Sequence, residues 1–251
     1  MTRIAQDELL ELSGKIGQIL LTSGAETARV ESTVAYIGKA AGYSLVCHAT
    51  MTAIMIVDET SHKAQLITIK DSSFNLQKVD ELNHLSRQFT QGELNFWELQ
   101  KETNRIAQRV IDFKWWEKLI AAGFVSVAPM LLFQASSSDL CLAFFVGLSG
   151  YVIHQVVLAT SRSPYLSAGV ASLLIAFLAG GLHQLGLAQS IDMIVISSLM
   201  PLVPGVAITN SFREILGRDT ISGLVRAINA IYLAGAIGIG VVAGHILLSF
   251  L

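Results

Sequence analysis

Charged side chains are scarce in the second half of this chain. Only five of the 17 Lys and Arg residues and five of the 19 Asp and Glu residues come after position 114. Five long windows contain no charged residue: Leu119–Ser138, Leu140–Ser161, Ser163–Ile191, Met193–Phe212 and Ala227–Leu251. A helix needs roughly 20 mostly apolar residues to cross a bilayer, and each window reaches that length. The pattern argues against a purely soluble protein and predicts a soluble domain, residues 1–114, followed by a transmembrane domain, residues 115–251.

Other absences narrow the class of protein. The two cysteines, Cys47 and Cys141, lie in different halves, so a disulfide between them is not expected. The chain has no GxxxxGK[ST] phosphate loop, which argues against ATP hydrolysis. Net charge is near zero in both halves, so no nucleic-acid surface is expected. The charged start, Met1–Leu12, is unlike a secretory signal peptide. No metal or other cofactor is predicted.

Basic residues near the apolar windows predict the orientation of the spans. We expect the five spans at about 117–135, 140–160, 164–187, 191–209 and 226–249. If residues 1–114 are cytoplasmic, all the nearby basic residues lie inside: Lys114, Lys118, Arg162, Arg213, Arg218 and Arg226. The two outer loops carry Asp139 and Asp192 instead. Because cytoplasmic loops collect Lys and Arg, we expect a five-helix bundle in the cytoplasmic (inner) membrane, with its N-terminus inside and its C-terminus outside.

The soluble half combines helical and strand patterns. Apolar residues recur at helical spacing in residues 5–22, where Gly24 can end the helix, and in a second helix that ends near Gly42. Ser44–Val57 and Ala64–Ile69 are rich in β-formers and flank a polar turn, which predicts a β-hairpin. Two polar helices are expected at about Asn75–Thr90 and Glu93–Phe113. The predicted class is therefore an α+β domain.

One polar cluster in this domain has two interpretations. Glu26 and Glu31 flank Arg29 at the start of the second helix, and Arg29 can pair with Glu26 three residues earlier. Carboxylates there complement the helix dipole, which makes a solvated helix start the simpler interpretation. The functional interpretation is a cluster that contacts the membrane domain or a ligand.

The fourth window contains the strongest sign of a transport site. Pro201 and Pro204 each lack an N–H, and Gly205 adds backbone freedom. Backbone carbonyls freed by a broken helix cannot face lipid and must face protein or a water-filled cavity. Many transporters bind substrate at such breaks, although a kink that only improves packing is the alternative. His154 is a candidate proton relay because intramembrane ionisable residues are rare.

Three polar residues follow the fourth expected span. Asn210 and Arg213 come after its end at about residue 209, and Arg226 begins the fifth expected span. The two arginines can attract a substrate carboxylate at short range. They can equally be ordinary anchors on the cytoplasmic side of the membrane.

Two separated motifs carry a family resemblance. Gly24-Ala25-Glu26-Thr27-x-Arg29-Val30-Glu31 is one, and Leu202-Val203-Pro204-Gly205-Val206-x-x-Thr209-Asn210 with Gly223-Leu224-x-Arg226 is the other. Together with the order of the domains, they resemble the threonine/serine exporter family, ThrE. The resemblance implies a transporter that exports small amino acids and is driven by an ion gradient.

The number of spans refines the resemblance. Full-length members of that family have about twice as many spans as the five predicted here. The chain is similar to the larger subunit of the split form, whose partner is a short membrane protein that carries the remaining helices. Some paired members export succinate-like dicarboxylates, so the implied substrate is a small carboxylate-bearing metabolite.

Three functions are therefore open at this point. The leading hypothesis is one subunit of a two-component secondary transporter that exports threonine and serine, with a dicarboxylate as the alternative substrate. A membrane sensor with a ligand-binding cytoplasmic domain is the second. An enzyme is the third and is not favoured, because residues 1–114 contain no nucleophile–base spacing and no set of metal ligands.

Overall fold

The computed structural model describes residues 4–69, 74–109, 113–132 and 135–250. Within these ranges the chain is mostly helical and has one small sheet. Its helices are α1 (Gln6–Thr22), α2 (Thr27–Ala40), α3 (Leu76–Thr90), α4 (Phe96–Gln108), α5 (Trp115–Leu132), α6 (Ser137–Ser161), α7 (Pro164–Gln184), α8 (Ile191–Ser198), α9 (Gly205–Leu216) and α10 (Thr220–Ser249). Its strands are β1 (Leu45–Ala49), β2 (Ala53–Asp58) and β3 (Ala64–Thr68).

Internal contacts divide the chain into two compact units. The first unit is Met1–Ile111 together with Thr209–Ala227, and the second is Asp112–Ile208 together with Ile228–Leu251. Segment 209–227 therefore groups with the N-terminal residues, although its first residues are the end of the fourth apolar window. No periodicity or composition signal indicates this grouping, because it depends on contacts between distant parts of the chain.

The first unit has a core of helices packed on a sheet. The side chains of Leu9, Ile16, Ile37 and Ile54 are almost fully buried in it. α1 ends where Gly24 adopts a φ of +93° and Ala25 N donates to Leu20 O at 3.0 Å. A side chain at Gly24 would be strained by this φ and crowded by the Phe74 ring. The predicted glycine end of this helix is confirmed.

The sheet has one strand more than the predicted hairpin. The pattern over 44–57 predicts one strand, whereas the chain turns at Thr50–Thr52 and forms β1 and β2. Thr50 fixes this turn, since its N–H donates to Ala53 O at 2.8 Å and its Oγ1 accepts from Ala53 N at 3.1 Å. The result is an antiparallel sheet in the order β1-β2-β3. Threonine favours strands on average, so composition hides this local turn.

The second unit contains most of the apolar helical residues. Among the residues that the structure describes, four helices are long and apolar enough to cross a membrane: α5, α6, α7 and α10. A fifth candidate is the bent pair Ile191–Leu202 and Gly205–Leu216, whose two parts differ by 66° in direction. The five predicted windows therefore correspond to four unbroken candidate helices and one broken one.

The break occurs at the two prolines of the fourth window. α8 ends at Ser198, Met200–Leu202 forms a 3-10 turn, and α9 begins at Gly205. Val203, which precedes Pro204, is extended with φ −69° and ψ 129°, as the proline ring requires of the residue before it. Met200 O, left without a Pro204 N–H, accepts from Val203 N at 3.3 Å. The predicted interruption of this helix is present.

Small residues bring the helices of the second unit close together. Gly147 leaves room for the Ser126 side chain, and Gly240 lies against the backbone carbonyl of Gly169. A Cβ at either position would overlap these neighbours. Close backbone approach through small residues is the usual basis of helix packing in membranes, where no hydrophobic force drives helix association.

Candidate functional site: a buried polar network at the end of α9 and the start of α10

The later part of α9 and the first part of α10, within residues 209–227, pack against each other in the first unit. Arg218 ends α9 in the left-handed region, with φ +72°, and Asp219 N donates to Glu214 O at 2.9 Å. Gly223 then allows α10 to approach α9, because a Cβ there would lie 2.9 Å from Ser211 O and from Ile215 N. This spacing explains the glycine of the Gly223-Leu224-x-Arg226 motif and places Arg226 beside α9.

A buried ion pair lies between these two helix segments. Arg226 donates from Nε to Glu214 Oε2 at 3.1 Å and from Nη2 to Glu214 Oε1 at 2.9 Å. The two side chains are only 9% and 1% exposed. A buried carboxylate and guanidinium each have a large desolvation cost, which a two-point contact of this geometry offsets. Arg226 is therefore occupied by Glu214, and the prediction that it receives a substrate carboxylate now requires that Glu214 release it.

The same ion pair binds the N-terminal motif. Glu214 Oε1 accepts from Thr27 N at 3.3 Å, and Arg226 Nη2 donates to Ala25 O at 3.5 Å. Asn210 Nδ2 donates to Gly24 O at 3.2 Å. The two sequence motifs are thus joined by direct hydrogen bonds between residues that are 186 and 201 positions apart.

A second layer of contacts surrounds this network. Thr27 Oγ1 donates to Asp219 Oδ2 at 3.0 Å, and Arg213 forms an ion pair with Glu26. The Arg213 side chain is 58% exposed, so this outer pair is accessible to solvent in a way that Glu214 and Arg226 are not. Exposed pairs exchange partners at little cost, whereas buried pairs do not.

The predicted cluster at the start of α2 is divided between different partners. Glu26 pairs with Arg213 rather than with Arg29, whose side chain is exposed. Glu31 accepts from Ala49 N at 2.9 Å and lies 3.3 Å from His48 Nδ1. Only Glu26 among the three belongs to the network around α9. Helix spacing predicted which residues are neighbours on α2. It could not predict that Glu26 pairs with Arg213 of α9 instead of with Arg29.

The remaining predicted residues lie in the second unit. Pro201, Pro204 and Gly205 form the break before α9. His154 lies within α6, and its Nδ1 is buried without a hydrogen-bond partner among the described residues. The proton-relay role of His154 stays a prediction from its position in the sequence.

Sequence reasoning missed three members of the network. Glu214, Thr27 and Asp219 were not among the predicted site residues. One signal for Glu214 was present, because few acidic residues follow position 114 and a charge in so apolar a region requires a partner. Nothing in the sequence identifies Thr27 as the partner of Asp219.

A family model matches residues 11–248, which is nearly the whole chain. The family is ThrE, described as "Putative threonine/serine exporter". The chain belongs to the ThrE family. Comparisons with curated proteins and with solved structures find no match. ThrE proteins are transporters, and with four or five candidate spans this chain is a multi-pass membrane protein of that class. The two motifs that suggested the family are also the two segments that the buried network joins.

Proposed function

We propose that this ThrE chain is one subunit of a secondary transporter that exports threonine and serine across the cytoplasmic membrane. The observation that carries this proposal is the family match over residues 11–248. The chain has apolar helices that suit a translocation unit, and the fourth of its predicted spans is broken.

The break before α9 supplies the chemistry for binding a small polar substrate. Pro201 and Pro204 remove two backbone donors, so the carbonyls of Ser197 and Met200 lose their ordinary helical partners and accept instead from Leu199 N and Val203 N at the break. The N-terminus of α9, at Gly205, adds the positive end of a helix dipole. Broken helices in transporters use such carbonyls for cations and such helix starts for carboxylates. An amino acid carries both groups.

α9 provides a path for coupling between this break and the N-terminal domain. Its first residues belong to the second unit, and the residues from Thr209 onward belong to the first. Arg213 and Glu214, on that later part, bind Glu26 and Thr27. We infer that movement of α9 during transport acts on these contacts, with the exposed Arg213–Glu26 pair opening first, and that the N-terminal domain lies in the cytoplasm, where it regulates access.

A short membrane protein completes the proposed transporter. Inverted-repeat transporters pair two broken helices around one substrate site. The described residues contain one such break in an apolar helix. A partner that carries the second repeat would supply the other half of the site, as in the split form that the sequence resembles.

The proposal is tested by efflux from cells that express this chain, the short partner, or both. Cells are loaded with a threonine dipeptide or with succinate, and release is followed over time. We expect faster threonine release only when both proteins are present. Faster succinate release without faster threonine release would show that succinate is the substrate instead of threonine. Unchanged release of both would contradict the exporter function.

A matched proline pair tests the role of the break. Pro204→Ala should slow threonine efflux, because it permits α8 and α9 to join into a continuous helix. Pro164→Ala is the control, because Pro164 occupies the first turn of α7, where proline breaks no helical hydrogen bond. Equal efflux by the two variants, at equal amounts in the membrane, would argue against a role for the break.

A further inference from the structure

A polar groove of about 420 Å³ lies between α2 and α3 in the first unit. Arg29 and Tyr36 of α2 line one side of it, and Asn83 and Arg87 of α3 line the other. Glu26 lines its end nearest the start of α2. The groove has the size of a small-molecule site and is lined largely by polar side chains.

The two arginines of this groove are not neutralised by the protein. Both are exposed, and within the described part of the chain neither guanidinium has a hydrogen bond or ion pair. The next groove, between α3 and α4, shows the opposite arrangement. There Arg105 pairs with Glu102 at 2.9 Å, and Arg109 pairs with Glu81 at 3.0 Å. Two free guanidinium groups on one groove are suited to a carboxylate ligand.

Glu26 gives the groove a negative charge beside its two positive ones. Its side chain is mostly buried and its carboxylate is the partner of Arg213. The groove therefore presents two cations and, at one end, an anion whose present partner is an exposed side chain. This distribution complements a zwitterion better than it complements a dianion, because a second carboxylate would meet Glu26.

We propose that the α2–α3 groove binds a small zwitterionic amino acid. Its α-carboxylate lies between Arg29 and Arg87, and its α-ammonium group lies against Glu26. Binding of the ammonium group competes with Arg213 for Glu26, so an occupied groove weakens the outer contact of α9. The site is regulatory, since it would report the internal amino-acid concentration to the helix that follows the break. The choice of threonine and serine as ligands rests on the proposed function, whereas the zwitterion chemistry rests on the groove.

The test is equilibrium binding of radiolabelled threonine to the full chain, purified without a partner and held in nanodiscs. Unlabelled serine, succinate and inorganic phosphate serve as competitors. We expect saturable binding that serine displaces and that succinate and phosphate displace poorly. Better displacement by succinate or phosphate would overturn the zwitterion assignment, and absence of threonine binding would overturn the site.

Three variants locate the binding site. Arg29→Gln with Arg87→Gln should weaken threonine binding at least tenfold. Arg213→Gln should strengthen it by up to about fivefold, because it releases Glu26 from an exposed ion pair. Arg105→Gln, in the neighbouring groove, should leave it unchanged. Circular dichroism and size-exclusion profiles confirm that each variant is folded.

These variants also separate this inference from the proposed function. Unchanged threonine binding by the double arginine variant would overturn the groove assignment, whatever the efflux assay shows. Loss of binding in that variant would support the groove even if cells show no threonine efflux.

Discussion

α1 and the part of α9 from Thr209 onward belong to the same compact unit but have opposite polarity. α1 buries Leu9, Leu12, Ile16 and Leu20 and turns its charged residues outward. α9 buries Asn210, Ser211 and Glu214, whereas Phe212 is 63% exposed and Leu216 is 83% exposed. The first pattern is that of a helix in water. The second is the pattern of a membrane helix, in which polar residues face the protein.

The difference shows that the helices of the first unit do not all bury the same kind of side chain. Hydrophobic burial explains why α1 stays in place, with each buried Leu or Ile contributing about 1.5–3 kcal/mol. It cannot explain α9, whose buried face is polar. Directed hydrogen bonds and the Glu214–Arg226 pair position α9 instead. α9 is thus held by directed polar contacts, and the Arg213–Glu26 pair is the solvent-exposed one among them.

The largest effect is expected from breaking the buried pair. Glu214→Ala leaves the Arg226 guanidinium buried and unpaired, which should lower the free energy of unfolding by about 3–5 kcal/mol. Glu214→Leu combined with Arg226→Met should recover most of that loss, since it removes both charges. Thermal unfolding in detergent measures both. A single variant as stable as the parent would contradict a buried ion pair.

The outer face of α9 provides the second test. Phe212→Lys should disturb membrane insertion, because a lysine facing lipid costs up to about 2.5–3.5 kcal/mol at the centre of the bilayer. Trp97→Lys is the control, since Trp97 is 61% exposed on α4, a polar helix without a long apolar window. The amount of each protein in washed membranes is compared with the parent. Equal amounts of the two variants would contradict the prediction that the exposed face of α9, unlike that of α4, contacts lipid.

Helix packing in the second unit gives a smaller effect. Gly240→Ala places a methyl group against Gly169 O and Ser172, and overpacking of this kind costs about 1–3 kcal/mol. Gly238→Ala is the matched control, because no atom lies within 4 Å of a Cβ there. The melting temperature in detergent should fall for the first variant and stay the same or rise for the second. A fall of equal size in both would contradict packing as the cause.

The smallest effect concerns the hydrophobic core around β1. Burial, and to a lesser extent the nearby Glu31 carboxylate, raise the pKa of the Cys47 thiol to about 12. The thiol therefore stays protonated when folded, and in a Cys141→Ser background it should react slowly with N-ethylmaleimide at neutral pH and quickly in denaturant. Fast reaction of the folded protein would place Cys47 outside the core.

The same pKa shift predicts a pH dependence of stability. The folded-state pKa lies above the unfolded value, so the contribution is complete below about pH 8.5 and is lost as pH rises towards 12. Cys47→Ala should flatten the fall in melting temperature between pH 8 and pH 10. A slope that the substitution does not change would assign the alkaline sensitivity to other groups.

Local patterns predicted most of the elements because they depend on neighbours in sequence. Helical spacing located α1 to α4, and long uncharged windows located the apolar helices. Proline chemistry located the break at Pro201 and Pro204, since a missing N–H acts on its own turn. The turn at Thr50 was missed, because the hydrogen bonds that fix it leave no mark in the surrounding β-rich composition.

The sequence by itself determined the family, the apolar helices and the interruption of the fourth window. Only the tertiary structure decided the partners of the charged residues: Glu214 for Arg226, Arg213 for Glu26, and none within the described protein for Arg29. The physical reason is that a charge can be satisfied by any opposite charge that the fold brings within a few ångströms. Sequence spacing predicts which opposite charges are neighbours on one helix. It does not predict the partners that the fold brings in from another part of the chain.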